Sequence, residues 1–107
     1  MAATGLADGN YKLGGLDVIV KDRVAHTSDG AIAGSTHTIY DMVRSIVNMG
    51  IPMEEAVKMA SKTPADSVGE TEIGVLSAGK KADFVILDKD FSVLQTVRGG
   101  ETVYSAY

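Results

Sequence analysis

The stretch GVLSAGKKADFVILD, residues 74–88, combines a turn with an apolar run. Its first half is turn-like around residues 78–81, and its second half contains a continuous apolar run from Phe84 to Leu87. A short apolar run bounded by turn signals predicts a β-strand. Asp83 and Asp88 bracket the run. We interpret both as turn residues at the strand ends, because general acid–base chemistry would need a cleft and a partner group that the sequence does not show.

The residues that follow predict a β-hairpin. Two strand-like segments, Val93 to Arg98 and Thr102 to Tyr104, flank Gly99-Gly100-Glu101, which is a hairpin signal. The last third of the chain is therefore predicted to be β-structure. We place a boundary near residues 69–71, between this β part and the helical part before it.

The middle of the chain predicts two helices. The first has Ser35 as its N-cap and Gly50 as the left-handed residue that follows its end. Its apolar residues recur at spacings of three and four and so share one face; they are Ile39, Met42, Val43, Ile46 and Val47.

The second helix is expected to start near Pro52 and to end around Lys62-Thr63, because Pro64 disfavours a helical conformation in the residue before it. One short helical turn is predicted for residues 65–69. The apolar stripe of the second helix consists of Met53, Ala56, Val57 and Ala60.

The first third predicts a β-meander. Strands are expected at Asn10 to Leu13, Leu16 to Val20 and Arg23 to His26, with turns at Gly14-Gly15 and Lys21-Asp22. Together with the helices and the later strands, this pattern predicts a mixed α+β fold.

Length and composition limit the function. The 107 residues fit one small domain, and the net charge of −4 argues against nucleic acid as a partner. No apolar run approaches the roughly 18 residues that span a bilayer, and no basic and apolar leader follows Met1. Cysteine is absent, which excludes disulfides, thiolate nucleophiles and Cys-ligated zinc and favours a cytoplasmic location.

Side chains suited to catalysis are few and scattered. His26 and His37 have no accompanying H-E-x-x-H motif, and a metal needs three or four convergent donors, so we predict a structural or surface role for both. Asp17 and Asp22 fall at hairpin positions and are interpreted as solvated surface residues. The chain has neither a G-x-S-x-G elbow nor a phosphate-binding loop motif.

A segment of small residues, Ser28 to Ser35, is expected to be a loop. Because Gly30, Ala33 and Gly34 remove bulk just before a predicted helix, backbone N–H groups there would be free to face a phosphate, a carboxylate or a sugar amide. A tight loop packed under another element would use the same residues, and spacing alone favours neither interpretation.

Several of these segments resemble known protein families. Residues 74–88 resemble the C-terminal signature of the amidohydrolase superfamily, in which the chain leaves a metal-dependent (β/α)8 barrel and returns to a small β-sandwich. Met1 to Leu6, the Gly14-Gly15 hairpin and Asp29 to Ser35 resemble the N-acetylglucosamine-6-phosphate deacetylase family within that superfamily. The similarity covers essentially all 107 residues.

The resemblance implies a reaction and a site. The family hydrolyses the acetamide of N-acetylglucosamine 6-phosphate to glucosamine 6-phosphate and acetate. In the family a divalent metal, zinc or iron, activates water, and an aspartate at the end of a late barrel strand moves the proton. Ile32, Ala33 and Gly34 match the loop that contacts the sugar, so the resemblance implies that these residues bind substrate.

The family's catalytic groups have no counterpart in this sequence. Its catalytic aspartate, in a Thr-Asp-(Ala/Gly) motif, and its metal-binding glutamate and histidines lie upstream of the part that resembles Met1. We therefore expect no catalytic residue and no bound metal here, and an inactive chain, because a complete barrel needs roughly 250 residues. Residues 1–69 are expected to correspond to the C-terminal end of the barrel and residues 70–107 to strands of the β-sandwich.

Uncovered apolar faces and open strand edges predict a homo-oligomer, with exchange of strands as one route. The partner implied by the resemblance is an amino-sugar phosphate; nucleic acid and membrane are not expected. Two alternatives stay open. One is another amidohydrolase, such as a dihydroorotase- or deaminase-like protein. The other is a non-catalytic α+β module that binds a sugar phosphate or a partner protein.

Overall fold

The computed structural model describes residues 1–107 and contains seven strands and three helices. In chain order they are β1 (Gly9–Leu13), β2 (Leu16–Lys21), β3 (Val24–Thr27), β4 (Ile32–Ser35), α1 (Ile39–Asn48), α2 (Met53–Ala60), α3 (Lys62–Ser67), β5 (Phe84–Leu87), β6 (Val93–Arg98) and β7 (Glu101–Ser105). The predicted mixture of strands and helices is confirmed. The chain forms two compact units, Met1–Met42 and Val43–Tyr107.

The first unit contains an antiparallel sheet in the order β1-β2-β3-β4. Its first turn is Gly14-Gly15, as predicted. Its second turn is Asp22-Arg23 and not Lys21-Asp22, because Lys21 still belongs to the β2–β3 ladder. Both turn residues have positive φ, as a type I′ turn requires. The Asp8 carboxylate accepts their two N–H groups at 2.8 and 3.4 Å and so stabilises this turn.

One face of this sheet carries the core of the first unit. Side chains alternate between the two faces of a strand, so Val18 and Val20 of β2 point to the same side and are buried. Ala25 of β3 and Ala3 of the N-terminal segment complete this buried cluster. The side chains of Met1, Tyr11, Leu13 and Ala33 pack around it. The N-terminal segment therefore helps to cover the sheet.

Helix α1 has a different N-cap from the one predicted. The Thr38 hydroxyl accepts the N–H of Asp41 at 3.1 Å, and the Asp41 carboxylate accepts the N–H of Thr38 at 2.8 Å. This reciprocal arrangement is a capping box. Ser35 is wrong as the cap because it is the last residue of β4.

The end of α1 is as predicted. Gly50 has a φ of +98°. Its N–H donates to the Val47 carbonyl at 2.9 Å, and the next N–H, of Ile51, donates to the Ile46 carbonyl at 3.1 Å. These are the two hydrogen bonds of a Schellman motif, which needs a left-handed residue at the Gly50 position.

The predicted second helix ends earlier than expected, and the short helical turn predicted at residues 65–69 falls largely within a third helix, α3. The second helix is interrupted at Ser61, whose φ of −130° and ψ of −79° are not helical, so the predicted end at Lys62-Thr63 is wrong. Pro64 lies in the first turn of α3, where backbone N–H groups have no intrahelical acceptor and proline is tolerated. None of the three helices has the length and the hydropathy to cross a membrane.

The second unit contains an antiparallel sheet in the order β5-β6-β7. The apolar run 84–87 forms β5, an edge strand, and the Gly99-Gly100 hairpin is confirmed. The Asp83 carboxylate accepts the Gly99 N–H at 2.6 Å. The Asp88 carboxylate accepts the N–H groups of Asp90 and Ser92 at 2.8 and 2.7 Å. Both aspartates are therefore turn residues at the ends of β5, as predicted.

Candidate substrate-binding site

The predicted substrate-binding residues lie in strand β4 and not in a loop. Ile32, Ala33 and Gly34 form most of this strand, which pairs with β3 on one side only. Gly34 lies opposite Ala25, and Ile32 lies opposite His26. A shift of register between Ala25 and His26 leaves Ala33 without a partner on β3. Such a bulge changes the direction of side chains at a sheet edge.

The three residues differ in what they expose. The Ile32 side chain is 76% exposed, whereas Ala33 packs against the core of the first unit. A Cβ at Gly34 would lie 3.6 Å from the Sδ of Met1, so the glycine lies beside the N-terminal segment. This edge of β4 therefore presents backbone atoms and one apolar side chain.

The turn before β4 is held by Thr27 and Asp29. The N–H of Thr27 donates to the Ala31 carbonyl at 2.8 Å, and the N–H of Gly30 donates to the Thr27 carbonyl at 2.9 Å. The Thr27 hydroxyl donates to the Asp29 carboxylate, and this hydrogen bond, with that from the Ala31 N–H, lowers the pKa of Asp29. Asp29 is thus a carboxylate that organises the turn, with its Oδ1 atom accepting both hydrogen bonds.

The chain after β4 is tied to the N-terminal segment. The Thr4 hydroxyl donates to the Ser35 carbonyl at 3.2 Å, and the Gly5 N–H donates to the Thr36 carbonyl at 3.1 Å. Thr36 is buried, and its hydroxyl donates to the Arg23 carbonyl. These contacts hold the end of β4 between the N-terminal segment and the β2–β3 turn.

A charged pair that we did not predict from the sequence lies next to these contacts. The Arg23 guanidinium is 3.2 Å from the Asp41 carboxylate. The pKa of Asp41 is lowered from 3.8 to about 2, mainly because the carboxylate accepts the N–H and the hydroxyl of Thr38, with Arg23 contributing less. The signal available in the sequence was Thr38-Ile39-Tyr40-Asp41, which has capping-box spacing.

The histidines and carboxylates do not form a metal site. No three of the His, Asp and Glu side chains are close enough together to hold an ion. The Nδ1 atom of His26 is 3.2 Å from the Gly30 carbonyl, a contact that organises the turn before β4. Asp17 is highly exposed and forms an ion pair with Lys12 at 2.5 Å, which fits the surface role expected for it. The residues of this chain therefore do not fit the divalent metal that the resemblance implies.

Comparison with known proteins identifies the class of protein. Residues 16–103 match the model of the amidohydrolase family, which is most of the chain. The chain belongs to the amidohydrolase family.

Within this family, the similar proteins include amino-sugar-phosphate deacetylases. The chain is 43% identical to the N-acetylglucosamine-6-phosphate deacetylase of Vibrio furnissii, over 99% of this chain and 27% of that protein. It is 39% identical to the N-acetylgalactosamine-6-phosphate deacetylase of Escherichia coli O157:H7, over 89% of this chain and 26% of that protein.

The fold agrees with a solved deacetylase. The N-acetylglucosamine-6-phosphate deacetylase of Thermotoga maritima superposes with a TM-score of 0.89 at 36% identity, over 99% of this chain and 30% of that structure. The chain thus spans between a quarter and a third of the length of these relatives.

Proposed function

We propose that this chain serves the hydrolysis of N-acetylglucosamine 6-phosphate to glucosamine 6-phosphate and acetate, as its relatives' names indicate. The observation that carries the proposal is the agreement with the T. maritima deacetylase over 99% of this chain, at a TM-score of 0.89. The relative named for N-acetylgalactosamine 6-phosphate makes the epimeric sugar the second substrate to test.

The proposed contribution of this chain is a backbone contact with the sugar at Ile32, Ala33 and Gly34. The β4 edge has no strand on its other side, and the bulge leaves Ala33 outside the β3 ladder. Backbone N–H and C=O groups that have no ladder partner are suited to bind an amide or a hydroxyl of a sugar. No side-chain acid or base takes part in this contact.

We propose that the 107 residues by themselves do not hydrolyse the substrate. The relatives are more than three times as long, a complete barrel needs roughly 250 residues, and no group of side chains here could hold a metal. In the longer relatives a divalent metal, zinc or iron, would supply the activated water. Residues 1–69 would contribute the end of the barrel, and residues 70–107 would contribute strands of the β-sandwich, in a cytoplasmic enzyme.

We further propose that the isolated chain forms homo-oligomers. Large apolar side chains are exposed on the helices or next to their ends, among them Ile39, Met49 and Met59. Exposed apolar surface of this kind favours association.

The site proposal is tested by titrating the isotopically labelled chain with N-acetylglucosamine 6-phosphate and following backbone amide shifts by NMR. We expect the amides of residues 32–34 to shift, and glucose 6-phosphate, which lacks the acetamide, to shift them less. N-acetylgalactosamine 6-phosphate in the same titration shows which epimer is preferred.

A matched pair of variants localises the contact. Gly34→Val adds a side chain beside Met1 at the site and should abolish the shifts. Gly79→Val, at a glycine where an added Cβ would have no atom within 4 Å, should leave them unchanged. Unshifted amides at 32–34 under saturating sugar would exclude the site, and steady acetate release by the purified chain with added zinc, iron or manganese would contradict the expected inactivity.

A further inference from the structure

The β2–β3 turn has an arginine at a position that favours glycine. Arg23 is the second residue of this turn, and its φ is +62°. Type I′ turns prefer glycine at this position, because a long L side chain is strained at positive φ. Such strain persists where the surrounding contacts fix the residue, and strained residues cluster at functional sites. The contacts of Arg23 therefore bear on why an arginine occupies this turn.

Arg23 contacts three different segments of the first unit. Its N–H donates to the Asp8 carboxylate at 3.4 Å, before β1. Its carbonyl accepts the hydroxyl of Thr36, directly after β4. Its guanidinium lies 3.2 Å from the carboxylate of Asp41, in the first turn of α1. One turn residue thus joins the beginning of the four-stranded sheet to its end and to the helix that follows.

The connection between β4 and α1, residues 36–38, is fixed to Arg23 at both of its ends. Thr36 is only 5% exposed, and its hydroxyl donates to the Arg23 carbonyl. At the other end, the Oδ2 atom of Asp41 accepts the N–H and the hydroxyl of Thr38, each at 2.8 Å. The same Oδ2 atom contacts the Arg23 guanidinium. The backbone carbonyl and the side chain of Arg23 therefore act on opposite ends of one short connection.

This connection begins next to the proposed sugar-contacting residues, Ile32 to Gly34. Val24, which follows Arg23 directly, pairs with Ser35 at the end of β4. The bulge leaves Ala33 without a partner on β3, so the β3 ladder fixes the middle of β4 incompletely. The contacts of Arg23 therefore supply part of what sets the position of β4 at its end.

We propose that Arg23 is a positioning residue for the sugar contact at residues 32–34. It does not touch the sugar. It fixes the end of β4 to the first turn of α1, so that the backbone groups of β4 are presented in one arrangement. A glycine at residue 23 would relax the turn but would lose the contact with Asp41. This inference rests on the sugar contact proposed above.

The test compares Arg23→Gly with the unmodified 107-residue chain in two measurements. In the NMR titration with N-acetylglucosamine 6-phosphate, we expect the dissociation constant to rise about fivefold, the upper range for loss of a solvent-accessible ion pair. In urea unfolding, we expect the free energy of unfolding not to fall, because glycine relieves the strain of the turn. Opposite effects on affinity and stability are not expected of a residue with a purely structural role.

A matched pair of variants isolates the ion pair. Arg23→Gln and Lys12→Gln each remove the cation of an exposed ion pair; Lys12 pairs with Asp17 in the β1–β2 hairpin. We expect only Arg23→Gln to weaken sugar binding. Arg23→Lys keeps a cation and should recover part of the affinity. Circular dichroism confirms that all variants are folded.

The outcomes separate this inference from the proposed function. Sugar affinity that is unchanged in both Arg23→Gly and Arg23→Gln would overturn the inference and leave the sugar contact standing. Affinity and stability that fall together in both variants would assign a purely structural role to Arg23 and would also overturn it. If the amides of residues 32–34 do not shift in the unmodified chain, the sugar contact is wrong and this inference with it.

Discussion

Gly74 illustrates how one residue determines local packing in the second unit. Its φ is +88°, a conformation that L side chains rarely adopt. A Cβ at this position would lie 2.9 Å from the Lys62 Cα and 3.2 Å from the Ala65 Cβ, both in α3. The chain therefore approaches α3 so closely at Gly74 that only a hydrogen fits. Nothing in the local sequence distinguishes this glycine from the others, because the contact joins residues that are far apart in the chain.

We predict that Gly74→Ala lowers the free energy of unfolding by roughly 3 kcal/mol, since backbone strain and overpacking add. Gly79→Ala is the matched control. Its φ of +82° is nearly the same, but no atom lies within 4 Å of the Cβ position, so only about 1 kcal/mol of strain is expected. Urea unfolding of the two variants measures the difference. Equal decreases in the free energy of unfolding would show that the close approach to α3 does not contribute to stability.

At the scale of the element, α1 depends on its two ends. The capping box of Thr38 and Asp41 satisfies N–H groups at its start, and the Schellman motif around Gly50 satisfies carbonyl groups at its end. Arg23 links the start of the helix to the β2–β3 turn through its ion pair with Asp41. The first turn of the helix is thereby fixed to the β2–β3 turn.

We predict that Thr38→Ala lowers the free energy of unfolding by about 1 kcal/mol in urea unfolding, whereas Thr38→Ser retains the hydroxyl and most of the stability.

Because folding lowers the pKa of Asp41 from 3.8 to about 2, the ionised carboxylate stabilises the fold above pH 3.8, and this contribution is lost as the pH falls toward 2. Unfolding measured across this range should show a smaller acid-induced loss for Asp41→Asn than for the unmodified chain. An identical pH dependence in both would contradict the role of Asp41.

At the scale of the whole molecule, many large apolar side chains remain exposed to solvent. Only eight hydrophobic residues are buried, and half of them are alanines. The largest fully buried side chain is Val18. A core built from such small residues contributes little transfer free energy, so covering the exposed apolar groups would stabilise the chain further.

We predict that Met42→Lys lowers self-association of the chain in light scattering, because it places a charge on the uncovered stripe of α1. Asn48→Lys adds the same charge to an exposed polar position of the same helix and should have no effect. If the unmodified chain is a monomer at micromolar concentration, the homo-oligomer proposal is wrong.

Local patterns in the sequence were sufficient to predict most elements. The strands that surround Gly14-Gly15 and Gly99-Gly100, and the Gly50 end of α1, follow from turn and cap chemistry within a few residues. The family also followed from the sequence, because residues 74–88 resemble its C-terminal signature and residues 16–103 match its model. The incorrect predictions concern residues that are compatible with more than one local structure. Ser35 resembles a cap but is taken up by β4, and Pro64 resembles a helix stop but is tolerated in the first turn of α3.

Long-range packing accounts for the features that no local pattern contains. It placed Ile32 to Gly34 on an open strand edge beside Met1, brought Arg23 to Asp41, and set Gly74 against α3. Each of these contacts joins residues that are distant in the chain, so each depends on how the elements pack. The sequence was sufficient for most of the elements and for the family, because these depend on local backbone preferences and on a contiguous motif. The site geometry and the uncovered β5 edge depend on long-range packing, and only the folded chain reveals them.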